Sequence, residues 1–285
     1  MKTKINKIFF YFFYKLKKSV RLLFNIDQKI KLGSLKIILP PDHNLSLYNK
    51  LYPEYDKFIS TIVKKLSKNT SVLDIGANVG DTICRLIQSN NKLHYYCIEA
   101  DDFFFDYLNL NTNNFKKKFS YKIDLIKLLV GQKLQGKLIG NHGTKSLLEN
   151  SKNSDANKVI KSKNLDEIIV KYNIKNIKLI KCDVDGYDYN VILSGINYIK
   201  KNTPDIFFEY HKLNESSQVN YISIINILFD IGYKNWTLLN NYGKIIFKKI
   251  NKKDLINLIN SNEKIFDIYC SVSLKNKNWI LYFRK

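Results

Sequence analysis

The residues of this 285-residue chain that could do chemistry fall into three short segments, each at the end of an apolar run. The first is VLDIGANVGDT, residues 72–82. Gly76 and Gly80 let the backbone turn sharply and let a ligand come close where a Cβ would stand. No Gly-Lys-Ser/Thr follows, so this is not a lysine-based phosphate loop. The acid ending the strand, Asp74, suits a cationic or hydroxyl-bearing ligand instead. The second segment is HYYCIE, whose Glu99 lies 19 residues beyond Gly80. At this spacing in a βαβ unit, an acid accepts hydrogen bonds from both hydroxyls of a ribose. Together the two segments specify a nucleoside cofactor site at the carboxyl ends of the first two strands.

The third segment, KCDVDGYD, places Asp183, Asp185 and Asp188 just past a strand, and PDIFFEYH (204–211) adds Glu209 and His211. Such groups orient an acceptor or take its proton. Asp183, Glu209 and His211 are the candidate bases, with His142 in a glycine-rich loop as a fourth. Other readings stand beside this one. A D-x-D pair can hold Mg²⁺ or Mn²⁺ and a nucleotide-sugar diphosphate, as in metal-dependent glycosyltransferases, and Asp183, Asp185 and Asp188 are the candidate metal ligands. Asp188 can also cap the helix of VILSGI, and His211 can be a hydrogen-bonded loop residue.

The elements that position these residues alternate. SVLDI (71–75), HYYCIE (94–99), KIDLIKLLV (122–130), IKLIKCDV (177–184) and DIFFEY (205–210) read as buried strands. Helical periodicity covers Asp81–Gln88, Phe103–Leu110, LDEIIVKY (165–172), VILSGI (191–196) and 221–233. WTLLNNYGKIIF (236–247) has the form of a hairpin, and 150–163 reads as an exposed polar loop. The pattern predicts an α/β fold with a mostly parallel central sheet, an antiparallel C-terminal hairpin and helices on both faces. Residues 1–31 form a basic aromatic segment, 32–70 an N-terminal extension with a strand at 35–40 and a helix at 55–66, 71–250 the main domain, and 251–285 a C-terminal extension packed on it, with further strands at IYCSVSL and WILYF.

On these motifs the chain resembles the FkbM family of class I S-adenosylmethionine-dependent methyltransferases, with the Rossmann-like fold of that class. LDIGANVGDT, with Asn78 where other members of the class carry a glycine, is the FkbM form. The likeness continues through LVG (129–131), GTKSLL (143–148), LDEII (165–169), LIKCDVDGYDYNVILSG (179–195), PDIFFEYH and the L…GY…L…G pattern of 228–243, covering roughly residues 35–250. The resemblance implies S-adenosylmethionine as cofactor. Asp74, Gly76, Ala77, Asn78 and Gly80 would line its methionine and ribose portions, Glu99 its ribose hydroxyls, and Ala100 and Leu129 its adenine. It implies O-methylation of a hydroxyl, on a sugar of a surface glycan or on a secondary metabolite.

The net charge is +22, and all but Arg21, Arg85 and Arg284 of the 47 basic residues are lysine. Readers of nucleic acid lean on arginine, so a solvated lysine surface is favoured over a nucleic-acid face, and nucleic-acid methylation is the alternative activity. Four cysteines without a CxxC pair or Cys/His cluster suit a reducing, cytoplasmic compartment and neither a disulfide scaffold nor structural zinc. Residues 1–31 carry nine basic groups against Asp27. Within them Phe9, Phe13, Leu16, Val20 and Leu23 recur at helical spacing among lysines. That is the composition of a helix lying on an anionic membrane surface, on the inner face, through residues 1–25. A helix packing on the domain has the same periodicity. The stretch is short for a secretory leader, and no A-x-A site follows it.

Overall fold

A computed structural model describes residues 2–117, 120–140, 145–149, 159–261 and 265–272. Helix α1 (Lys2–Leu23) leads into the hairpin β1 (Gln28–Leu32) and β2 (Leu35–Leu39), then α2 (Leu45–Leu51) and α3 (Lys57–Val63). The alternating region follows as β3 (Ser71–Ile75), α4 (Asp81–Ser89), β4 (His94–Glu99), α5 (Asp102–Lys116) and β5 (Lys122–Lys127). Short strands β6 (Leu129–Val130), β7 (Gln135–Ile139), β8 (Ser146–Glu149) and β9 (Ile160–Lys163) interrupt it. It resumes with α6 (Leu165–Lys171), β10 (Ile177–Cys182), α7 (Asp188–Ser194), α8 (Ile196–Asn202), β11 (Asp205–His211) and α9 (Glu215–Ile231). The last described elements are β12 (Asn235–Asn240), β13 (Ile245–Lys248), α10 (Lys252–Ile259) and β14 (Ile265–Ser271).

Eight strands form the main sheet in the order β13-β12-β14-β11-β10-β3-β4-β5. From β11 to β5 they run parallel, and β14 is antiparallel to both its neighbours. The central strands β3, β4 and β10 are buried almost throughout because both faces are covered, whereas the edge strands β5 and β13 expose alternate or most positions. In β4, Tyr96 and Ile98 enter the core built on α6–α10, while Tyr95 and Cys97 enter the one built on α3–α5 and the β1–β2 hairpin. The pleat sends alternate side chains to opposite layers.

Four sequence expectations change. The stretch 122–130 is not one strand: Leu128 donates its backbone N–H to the Glu99 carbonyl, and Leu129–Val130 turn away to pair with β9. That makes Ile160–Lys163 a strand rather than part of a loop, in a small sheet ordered β6-β9-β7-β8. The region beyond residue 250 is no appendage. Its strand β14 is inserted between β11 and β12, with Ile268 opposite both Phe208 and Leu238. Residues 32–70 likewise supply Leu35, Ile37, Leu39, Ile59 and Val63 to a main core. His142, the Gly143–Thr144 part of GTKSLL, residues 150–158 and the WILYF stretch lie outside the described residues.

A chain ending at residue 250 would leave two sheet edges unpaired and the core without Phe266 and Ile268. It is expected to lose the cooperative thermal transition followed by circular dichroism. A melt like that of the full chain would show the sheet complete without β14.

Candidate active site

The strand order reverses between β3 and β10, and ligands of open α/β sheets bind in the crevice such a reversal leaves at the carboxyl ends. Here Asp74 and Lys181 are register partners. Their side chains are 0% and 5% exposed, and Lys181 Nζ lies 3.1 Å from Asp74 Oδ1 and 3.4 Å from Asp183 Oδ2. It also donates to the Gly76 carbonyl at 3.1 Å. Burial lowers the lysine's proton affinity, but Asp74, Asp183 and Asp56 outweigh it and hold the pKa well above the usual value. Lys181 thus stays charged, and one ammonium joins both strand ends to the glycine turn.

That turn is shaped by close approach. Gly76 has φ +75°, and a Cβ there would lie 1.9 Å from the Asp183 carbonyl oxygen. Asn78 also adopts a left-handed φ, +49°, a region in which asparagine is enriched among non-glycine residues, and this accounts for asparagine in a position suited to glycine. The Glu99 carboxylate accepts the Asn78 N–H at 2.8 Å and those of Ala100 and Asp101 at 3.0 and 2.9 Å. It therefore braces the turn as well as facing the cleft. Burial raises its pKa against these hydrogen bonds.

Gly76, Asn78, Glu99, Ala100 and Leu129 line a cleft of about 640 Å³ whose far wall is apolar, formed by Phe104, Val130, Leu134 and Leu147. Asp74, Ala77 and Gly80 are placed differently from the sequence expectation. None is on the cleft wall: Asp74 lies beneath Lys181, Ala77 packs in the core, and Gly80 precedes the first turn of α4. Asp74 is linked to the neighbouring cavity through its ion pair with Lys181, which lines that cavity.

Asp183 and Asp185 also line a second cavity of about 1020 Å³, with Asp56, Glu209, Asp267, His211, Tyr48 and Tyr242. Glu209 and Asp267 are direct cross-strand neighbours on β11 and β14, a like-charge pairing that weakens a sheet. Burial, then the charge of Asp183, raises Glu209, Asp267 and Asp185 above the ordinary carboxylate range, Asp185 to about 7. Asp56 is pushed to about 7 by burial and Asp81. Burial moves His211 the other way, below 6.5, with Asp183 opposing. Glu209 Oε2 lies 3.8 Å from His211 Nδ1.

The metal set expected from the aspartate run is corrected. Asp188 is 0% exposed, and its carboxylate accepts the N–H groups of Glu209 at 3.1 Å and Val184 at 3.4 Å. It ties the β10 loop to β11 and faces neither cavity. Asp185, Glu209 and His211 converge instead, with ligand atoms within 4.8 Å of one another. Such a mixed oxygen and nitrogen set could accommodate a divalent cation. Lys181, Asp56 and Asp267 were not among the residues singled out from the sequence. Lys181 and Asp267 had a signal, a charge inside a buried apolar run; Asp56 had none.

A cationic nucleoside finds what its parts require in the first cleft. There is a carboxylate at Glu99, an apolar slot beside Ala100 and Leu129, and a pair of carboxyl groups at Asp183 and Asp185, with the backbone of Gly76 and Asn78 as the floor. Fold and site together define a class I S-adenosylmethionine-dependent methyltransferase. The family model described as the methyltransferase FkbM domain matches residues 74–234, and the chain belongs to that family. Cofactor-bound Rv0187 from MTB is similar at 8% identity and a TM-score of 0.44, covering 76% of this chain and 79% of that one. Precorrin-6y C5,15-methyltransferase from Geobacter metallireducens GS-15 gives 9%, 0.41, 76% and 87% in the same order. A SAM-dependent methyltransferase from Aquifex aeolicus gives 12%, 0.40, 80% and 98%. No curated protein matches the chain.

Two outcomes follow. Lys181→Met strands Asp74 without its cation and is expected to cost about 3–5 kcal/mol of stability, read by denaturant titration, with Asp74→Asn in the same chain recovering part of it. Because Asp185 titrates at about 7, a cationic ligand must displace its proton in more acidic solution. S-adenosylmethionine affinity measured by calorimetry is therefore expected to rise between about pH 5.5 and about pH 7.5, and Asp185→Asn should flatten that rise.

Proposed function

We propose that the enzyme methylates a hydroxyl of a sugar, in a surface glycan or a secondary metabolite. The observation that carries this reading is the carboxylate-lined cavity joined to the cofactor cleft through Asp183 and Asp185. Carboxylates accept hydrogen bonds from hydroxyls, several at a time. The rings of Tyr48 and Tyr242, 37% and 44% exposed, offer flat apolar surface to the C–H faces of a sugar. An amine held among these carboxylates would keep its proton and lose its nucleophilic lone pair. Phosphates would meet Asp56, Asp183, Asp185, Glu209 and Asp267 around this cavity, where the Lys181 ammonium is already engaged by Asp74 and Asp183, which argues against a nucleic-acid acceptor despite the basic surface. Family membership removes the basis for the sugar-diphosphate reading of Asp183 and Asp185.

When bound, S-adenosylmethionine supplies an electrophilic methyl group. The chain's part is to hold the acceptor in line with it and to take the acceptor's proton. His211, pushed below 6.5, is neutral at pH 7 and able to accept that proton. Asp183, whose charge already opposes the downward shift of His211, stabilises the imidazolium that results, and Glu209 Oε2 lies 3.8 Å from Nδ1. Asp188, through the Glu209 N–H, fixes where Glu209 and His211 project.

Transfer of labelled methyl to panels of neutral glycans, amines and RNA tests the acceptor class. Incorporation into glycan hydroxyls, with a mass gain of one methylene, is expected; transfer confined to amines or RNA would overturn the reading. His211→Asn is expected to lower kcat by about 10²–10⁴ and to remove the loss of rate as pH falls through the lowered imidazole pKa. Cofactor binding should be unchanged.

A further inference from the structure

Helix α1 is docked with its faces reversed relative to a helix that packs on a core. Over residues 13–23, the side chains set against the domain are polar. Tyr14, 8% exposed, shares its hydroxyl proton between the His43 carbonyl at 3.4 Å and Asn44 Oδ1 at 3.3 Å. Lys18 Nζ donates to Asn44 Oδ1 at 3.1 Å, and Arg21 Nε to the Pro41 carbonyl at 3.2 Å. Leu16, Val20 and Leu23, spaced four and three residues apart, form one stripe on the outward side. They are 53%, 47% and 78% exposed, and Phe24, just past the helix, is 65% exposed. A helix on a globular core buries such a stripe.

We propose that α1 is a membrane-surface anchor that seats the enzyme on an anionic bilayer. Charge complementarity selects the occupant. Residues 1–31 carry nine basic groups and one acid, and that acid, Asp27, accepts a hydrogen bond from the Tyr107 hydroxyl at 2.6 Å. Exposed Lys15 and Lys17 lie among the stripe residues, where phospholipid headgroups would meet them as the apolar residues enter the acyl boundary. A second copy of the chain would bring the same positive charge to this face. No described helix is long and apolar enough to cross a membrane, so the contact is with the surface. Through Asn44 and His43 the anchor grips a wall of the cavity that also contains Gly76, Asp183 and Asp185, so the bilayer would lie beside the mouth of the site.

Flotation of the full chain with vesicles tests the anchor, using phosphatidylcholine alone or mixed with phosphatidylserine. The expected result is flotation with the mixed vesicles, weak with the neutral ones and lost in high salt. Leu16→Gln, Val20→Gln and Leu23→Gln together keep helix-forming residues and should weaken flotation by about tenfold or more, with S-adenosylmethionine binding intact. Lys15→Glu with Lys17→Glu should do the same through charge alone. A full chain that stays off the mixed vesicles, or apolar-stripe variants that float as well as the parent, would overturn the proposal. So would a dimer that the stripe substitutions dissociate, with no vesicle binding by the parent.

Discussion

One buried ammonium organises the site. Lys181 is held at the strand reversal by Asp74, Asp183 and the Gly76 carbonyl, and removing either Lys181 or the fully buried Asp74 would leave the other's charge stranded in the core. Asp74 can be buried because Lys181 is there. Asp183 is held at the junction of both cavities for the same reason, and the turn that must come close to the cofactor is drawn onto the same cation. Glu99 braces that turn from the other side through the Asn78 N–H. The cofactor cleft is thus built from two carboxylate-anchored halves that meet at Gly76, where a Cβ would collide with the Asp183 carbonyl.

The charge of the molecule is inverted between outside and inside. A chain with net charge +22 concentrates Asp56, Asp183, Asp185, Glu209 and Asp267 around one cavity. Crowding these groups is unfavourable in itself, as the upward shifts of Asp56, Asp185, Glu209 and Asp267 record. The arrangement persists because β10, β11 and β14 are held by their own apolar cores whatever the charge state of the cavity. A cation bound beside Asp183 and Asp185, which the two cavities share, would relieve part of the crowding and link its binding to deprotonation.

Much of this was legible in the sequence because the signals were local. Glycines at 76 and 80 after an apolar strand, and an acid at 99, follow from what a nucleoside-binding turn needs, and the alternation of buried strands with periodic helices gave the sheet. What escaped was nonlocal. Nothing near residue 265 says that β14 will pass between β11 and β12, since insertion depends on the edge that β11 leaves open. Asp56 sits in a segment with no chemical signature and reaches the cavity only through the packing of α3. Asp188 looked like a member of an acidic cluster, yet a carboxylate able to accept two backbone N–H groups is also a way to join two loops. Lys181 was legible in principle: a lysine flanked by Leu179, Ile180 and Cys182 in a doubly covered strand must have a buried partner.

The placement of β14 has a bearing on synthesis. Asp267 arrives on a late strand of the chain, opposite Glu209, and the sheet remains split at β11 until that strand threads in. A growing polypeptide can assemble the nucleoside half early from neighbouring segments, whereas the half that would receive the acceptor awaits a pairing of long sequence separation. Closure of that half of the sheet therefore waits until β14 has been made and has paired with β11.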